Sequence, residues 1–544
     1  MPRSDKARSS RGTWTRKSRV WIVAGALMLS AFLVACDSGS DSSSSGSGPT
    51  ASGTQGDPVT GGTLTFARSL DADVGLNPIN APSNGSIFTL QQIFDQLVEV
   101  NGSDLEPGLA KSWDTSDDGK TWTFHLRDAK FSNGDPVTAE DVKFSIERFA
   151  DPKINTNYAT LGASIDSVDV IDDHTAQINL NRVDGAFLDN IAMFAAAIVP
   201  KKVVEDVGDK AFADNPVGSG PFMVKDYKRG QHTILVRNPN YWREGQPYLD
   251  EIDFEFVPDS NTRTLELRSG EVDVADAIPY NQVESLDAAD GISVEVADSL
   301  KWDSIFLDTQ KPPLDEVEVR QALAYATPTQ QILDAVLFGN AQVANSQIPR
   351  VKYWDDSIDP YPYDIDKAKE LLGQSSVPDG FDIELQIPSG DAVEKQEAEI
   401  IKSEWAKIGV NVTIVPRDFG TMFGDWLAGK GGEAATFPGD ALSSDTLSDD
   451  EIAALMFDPK SGLNSLGTFY ENPKITELLA DASGTLDEDK RQADFSQIQQ
   501  LGMDDVPSVP LFFTKSVTGY QDSVQNFQTY PIGWWPLREV WISQ

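Results

Sequence analysis

The sequence predicts an α/β protein with interleaved lobes, on three observations. Strands with period-two alternation dominate the first half, as in TWTFHL and HTILVRN. The texture turns helical around residue 316. Apolar strand-like runs return near the end, in VPLFFTKSVTGY and EVWIS. A chain that comes back to strands in this way builds one lobe from separated segments. The 544 residues allow about three domains at roughly 150 residues each.

Taken in order, structure is expected to begin near Gly61 with the alternating strand GGTLTFAR. In KTWTFHLRDAKF, Trp122, Phe124 and Leu126 alternate with Thr123, His125 and Arg127, which places His125 on the polar face. SNGDP is a turn, Thr138 caps a helix with Asp141 three residues on, and Val142, Ile146 and Phe149 share its apolar face. IDFEFVPD, ISVEVAD and WDSIFLDT read as further strands. EVEVRQALAYA is a helix stopped by Pro328, and QQILDAVLFG one that ends at Gly339. YDIDKAKELLG is a capped helix and FDIELQIP a strand. AEIIKSEWAKIG is a helix closed by Gly409 that feeds the strand VNVTIVPR, half of a βαβ unit.

Composition removes several function classes. Asp and Glu total 85 against 44 Lys and Arg, a formal net charge of −41. Such a chain does not neutralise phosphates, so nucleic acid is not an expected partner. His125, His174 and His232 are the three histidines. They form no metal-binding pattern, and Cys36 is the single cysteine, so no transition-metal site and no internal disulfide are expected. The many Asp residues leave an oxygen-ligand calcium site open, although no EF-hand loop occurs. There is no Walker A sequence and no G-x-S-x-G elbow, so no cofactor and no enzyme activity are expected.

Residues 1–35 read as an export signal. Seven basic side chains against Asp5 precede the uncharged run VWIVAGALMLSAFLVA. Sixteen residues span about 24 Å as a helix, short of a bilayer core of about 30 Å. The tetrad LVAC resembles a bacterial lipobox, which implies cleavage before Cys36 and lipidation of its thiol. Residues 36–57 follow as a Ser/Gly tether with no large apolar residue beyond its start.

Four blocks carry a resemblance. They are LEPGLAKSWDTSDDGKTWTFHLRDAKFSNGDPVTAEDVKFSIERF, NPVGSGPFMVKDYKRG with LVRNPNYWREGQPYLDEIDFEFVPD, LRSGEVDVADAI, and KPPLDEVEVRQALAYA. In this order they resemble the family 5 solute-binding proteins of ABC transporters, the oligopeptide- and dipeptide-binding type of extracellular lipoprotein. The resemblance implies a two-lobed, periplasmic-binding-protein-like fold of type II, with an extra subdomain in the first lobe. By it, lobe I comprises residues 58–99, 217–299 and 511–544, the subdomain 100–216 and lobe II 300–510. Two hinge crossings are expected, near 299–302 and 509–513. The implied function is capture of a small solute, foremost a short peptide, for delivery to an ABC permease with its ATPase subunits. The expected form is a lipid-anchored monomer on the outer face of the cytoplasmic membrane. A sugar, metal chelate, haem or opine ligand, a sensing role, or a lipid-anchored hydrolase are the alternatives.

By the same resemblance, FPGD stands where peptide binders have W-x-x-D. Phe437 then takes the Trp position and Asp440 the Asp that pairs with a ligand ammonium. Asp440 is either that partner or one more solvated acid, and the stretch after it, DALSSD, departs from the family pattern. Trp302 at the first crossing, Phe419 and Tyr470 are the aromatic candidates for the cleft, with core packing as the alternative for each. Trp534 and Trp535 are expected in the core and Asp308 in a structural role.

Overall fold

The structure, a computed structural model, describes residues 57–72, 74–81, 83–155, 157–437, 443–461 and 465–543. The export segment, Cys36, most of the tether and Asp440 lie outside the described residues. Residues 56–544 form one compact unit.

Its frame is an 11-stranded mixed sheet. Two long antiparallel strands, Ile292–Leu307 and Ser508–Gln521, run through its middle. On one side lie Ala434–Thr436, Asp382–Pro388 and Asn411–Arg417. On the other lie Val274–Ala275, Thr63–Arg68, Glu251–Phe256, His232–Arg237 and Phe222–Lys228. The fold is thus the expected two-lobed α/β one, with the central pair of strands common to both halves.

ISVEVAD and WDSIFLDT, read from sequence as two strands, are one strand of 16 residues. The polar stretch between them is a bulge. The ladder shifts register between Asp298, opposite Lys515, and Trp302, opposite Phe513. Ser299 fills the gap. Its Oγ donates to the Thr514 carbonyl at 2.7 Å and accepts from the Lys301 N–H at 3.3 Å. Both expected crossings fall within these two strands.

In the second half the βαβ unit is complete. Strand Asp382–Pro388, helix Ala392–Trp405 and the parallel strand Asn411–Arg417 follow one another. Gly409 closes the helical segment at φ +84°, and a Cβ there would sit 2.5 Å from the Asp379 carbonyl. Ala398, Ile401 and Trp405 turn to the core, and the Trp405 indole donates to Thr327 Oγ1 at 3.0 Å.

Part of the 100–216 region forms its own antiparallel sheet, in the order Ala110–Thr115, Thr121–Leu126, Thr175–Leu180, Ile165–Asp172. Trp122, Phe124 and Leu126 are buried, and His125 faces outward to Asp114 at 3.1 Å. Thr138 caps helix Ala139–Ala150. Its N–H and hydroxyl both donate to Asp141 Oδ2, at 3.0 and 2.8 Å. This region also touches the second half, where Gly185 N–H donates to the Ser483 carbonyl at 2.9 Å. One buried apolar cluster accordingly includes Phe66 and Trp535, Phe124 and Phe187, and Phe437 and Phe495.

Candidate functional site

The C-terminal ends of Thr63–Arg68 and Val274–Ala275 face the N-terminal end of helix Ala392–Trp405 across a cavity of about 540 Å³. A cleft at the carboxyl ends of strands is where open α/β sheets bind ligands. Arg68, Phe88, Asp276 and Trp535 line it from one half. Phe338, Val393 and Gln396 line it from the other, and Lys301 and Lys515 from the two long strands between them.

Arg68 terminates an otherwise uncharged strand and is only 2 % exposed. Its Nη1 donates to the Gly85 carbonyl at 3.1 Å and Thr89 Oγ1 at 2.8 Å. The guanidinium lies 5.0 Å from the Phe254 ring centroid and 5.4 Å from that of Trp535, which supplies cation–π contact. Burial lowers its pKa to about 10, opposed by the nearby Asp276 carboxylate. Asp276 Oδ1 accepts from the Ser69 N–H at 2.7 Å. Burial raises the Asp276 pKa, and Arg68 and Arg263 oppose the rise.

Helix Ala392–Trp405 presents Val393 and Gln396 to the cavity and turns Glu394 and Glu397 inward. Glu397 is 0 % exposed, and neither of its carboxyl oxygens has a hydrogen-bond partner. Burial drives its pKa well above the ordinary range, and Glu394, Asp303 and Asp391 add to the rise. Glu394 is pushed up to about 7, by burial first and then by Asp391. Uncharged carboxyls are the physical answer to such a setting. Among the described residues, no three His, Cys, Asp or Glu side chains are arranged to hold a metal ion.

The aromatic candidates divide. Phe437 and Phe419 come together, with ring centroids 6.4 Å apart, in a cluster that also holds Phe423, Phe306 and Trp426. Phe419 is 37 % exposed, whereas Phe437 is buried. Trp302 is buried in the long strand, and its indole N–H has no acceptor. Tyr470 packs on Phe457 inside the second half, and its hydroxyl donates to the Asp505 carboxylate. None of these four lines the 540 Å³ cavity. Trp535 does, although it is also buried core. Asp308 has the structural part expected of it, accepting from the Gln310 N–H at 3.1 Å and pairing with Lys311 at 3.3 Å.

Arg68, Asp276, Lys301 and Lys515 were not singled out from sequence. Arg68 carried one local signal, a charge closing an alternating apolar strand. Lys301 carried another, since period two puts it on the face opposite Trp302.

Comparison with known proteins identifies the family and agrees with the fold. The profile of the bacterial extracellular solute-binding proteins, family 5 (middle region), matches residues 104–453. The probable D,D-dipeptide-binding periplasmic protein DdpA of Escherichia coli is 31 % identical over 487 residues, covering 86 % of this chain and 92 % of that protein. Heme-binding protein A of Haemophilus influenzae is 30 % identical over 478 residues, covering 82 % and 86 %. The periplasmic binding protein DppA of Helicobacter pylori, solved with the peptide STSA, superposes with a TM-score of 0.77 at 28 % identity, over 89 % of this chain and 99 % of that one.

The fold and the interlobe cavity define a binding protein of the periplasmic type. The chain belongs to the bacterial extracellular solute-binding proteins, family 5, which serve ABC import. These relatives are binding proteins of transporters, not enzymes. Among the described residues, no helix is long and apolar enough to cross a membrane.

Proposed function

We propose that this protein captures a short peptide between its closing lobes and hands it to an ABC permease, while held at the membrane by lipid on Cys36. The observation that carries the capture is the 540 Å³ cavity lined from both halves. Its size falls within the range of about 300–1,000 Å³ usual for small-molecule sites. A solute that touches both walls has differential affinity for the closed form and shifts the population towards it. The long paired strands absorb the movement at their bulge. Peptide binding is favoured by the relatives named for dipeptides and by the peptide held in the Helicobacter pylori structure.

In this reading residues 58–99, 217–299 and 511–544 act as lobe I, 100–216 as its subdomain and 300–510 as lobe II. Asp440 receives the peptide ammonium through a charge-assisted hydrogen bond. Phe437 and Phe419 pack together outside the 540 Å³ cavity, and Trp302 is buried in the long strand, so these aromatics serve as packing for the second wall rather than as ligand contacts. Tyr470 steadies the second lobe through Asp505. The protein works as a monomer, and residues 36–57 tether it above the membrane.

Mass spectrometry of the purified protein, native and then denatured, tests the reading. Release of peptides of two to five residues in stoichiometric amount is expected. Haem, sugar or chelate in their place would replace the peptide by that solute.

A further inference from the structure

We propose that Phe338 is an apolar lip of the cleft, whose ring covers an apolar side chain of the solute and so sets a preference for apolar over polar solutes. The inference rests on the capture reading above and adds a residue that selects within it. Its first support is position. Phe338 borders the 540 Å³ cavity from the second half and is 57 % exposed. Leu70, 43 % exposed, borders it from the first. Among the described residues, these two are the large apolar side chains that are both exposed and part of the cavity wall.

The second support is the backbone. Helix Thr329–Val336 buries Ile332, Leu333 and Val336, and Leu337 after it is buried too. The chain then turns at Phe338, whose φ of +52° is left-handed. A residue with a Cβ is disfavoured there, and glycine is the usual occupant. The turn is nevertheless held firmly. Asn340 Nδ2 donates to the carbonyls of Leu337 at 3.0 Å and Phe338 at 3.2 Å, and the Gly339 N–H donates to the Leu333 carbonyl at 3.2 Å. Strained positions fixed by their surroundings are found at ligand clamps. Within the fold the ring gains nothing in return. Among the described residues, it packs on none of the buried apolar clusters, whereas Leu337 belongs to one.

The cavity supplies what the ring lacks. Leu70, Phe88, Ile278 and Val517 bring apolar surface to the same space. An apolar solute group placed between them and Phe338 takes the ring out of water, and it gains a burial that a polar group of the same size does not. The lip is also tied to the central strands. Strand Ala341–Val343 begins three residues on and pairs with Ser508–Gln521, Ala341 lying opposite Thr514. In the capture reading, movement of the long strands therefore carries the ring with the second wall.

Calorimetry on the full chain with Ala-Leu and Ala-Asn, whose second side chains match in size and differ in polarity, tests the proposal. The parent should bind Ala-Leu about ten times or more tightly than Ala-Asn. Phe338→Ala should remove most of that ratio by weakening Ala-Leu and leaving Ala-Asn unchanged, and Phe338→Leu should restore it. Phe338→Gly removes the strain as well as the ring. It should match Phe338→Ala in binding and exceed it in urea midpoint, which separates the ring from the backbone. A parent that binds both peptides equally, or a ratio that survives Phe338→Ala, would overturn the lip while keeping a peptide ligand. Should neither dipeptide bind, the peptide reading falls, and the rise in melting temperature on reloading each chain with the solute that the parent released decides the lip. A smaller rise in Phe338→Ala would support it, and an equal rise would overturn it.

Discussion

At the scale of the residue, two unusual groups are Glu394 and Glu397, acids on the inward face of one helix. A folded carboxyl held above its unfolded value of 4.5 keeps a proton that the unfolded chain gives up. Stability is therefore unaffected below about pH 4.5 and falls as the pH rises from there. For Glu394 the loss levels off once the folded group itself ionises, at about 7. Glu394→Gln, which mimics the protonated form, should remove that part of the decline. The measurement is the difference in urea midpoint between variant and parent from pH 4.5 to 7.5. The variant should gain steadily with pH, and a constant difference would mean that Glu394 is already ionised in the fold. Glu397→Gln should behave in the same sense, because burial, Glu394, Asp303 and Asp391 also hold its carboxyl above the ordinary value.

At the scale of the element, the contact between the 100–216 region and the second half depends on a missing side chain. A Cβ on Gly185 would meet Arg491 Nη1 at 1.9 Å and the Thr485 carbonyl at 2.5 Å. Arg491 is fixed by Asp450, by the Ala482 carbonyl at 2.8 Å and by stacking on Tyr353, so it has no room to yield. Gly185→Ala should separate the two elements. Small-angle scattering should show a larger radius of gyration with secondary structure unchanged by circular dichroism. The sequence made local elements readable, for local reasons. The Thr138 cap, the alternation of Trp122, Phe124 and Leu126, and the glycine stop at 409 are set by neighbours within a few residues. The long strand Ile292–Leu307 was read as two because its bulge places Ser299 and Lys301 in a polar gap that only the partner strand explains. The cleft was the least legible part. Arg68, Asp276, Lys301, Lys515 and Trp535 lie on five separated segments, and nothing in their spacing says that they meet.

At the scale of the whole molecule, function reduces to two lobes that share a pair of strands and enclose a solute between them. In the proposed reading rotation occurs at the bulge at residues 299–301, which is bonded through the Ser299 side chain rather than through the ladder. A solute in the cavity then favours closure by as much as its contacts to the second wall exceed those of the open form. The size of that shift sets how clearly a permease distinguishes loaded from empty protein. Spin labels at Leu265 and Gln374, one exposed site in each half, report the movement directly. Pulsed electron resonance on a variant with Cys36 replaced, stripped of solute and then reloaded with what it released, is the most direct test. The account predicts a longer, broader distance when empty and a single shorter one when loaded. A distance that stays the same with the solute bound would contradict it.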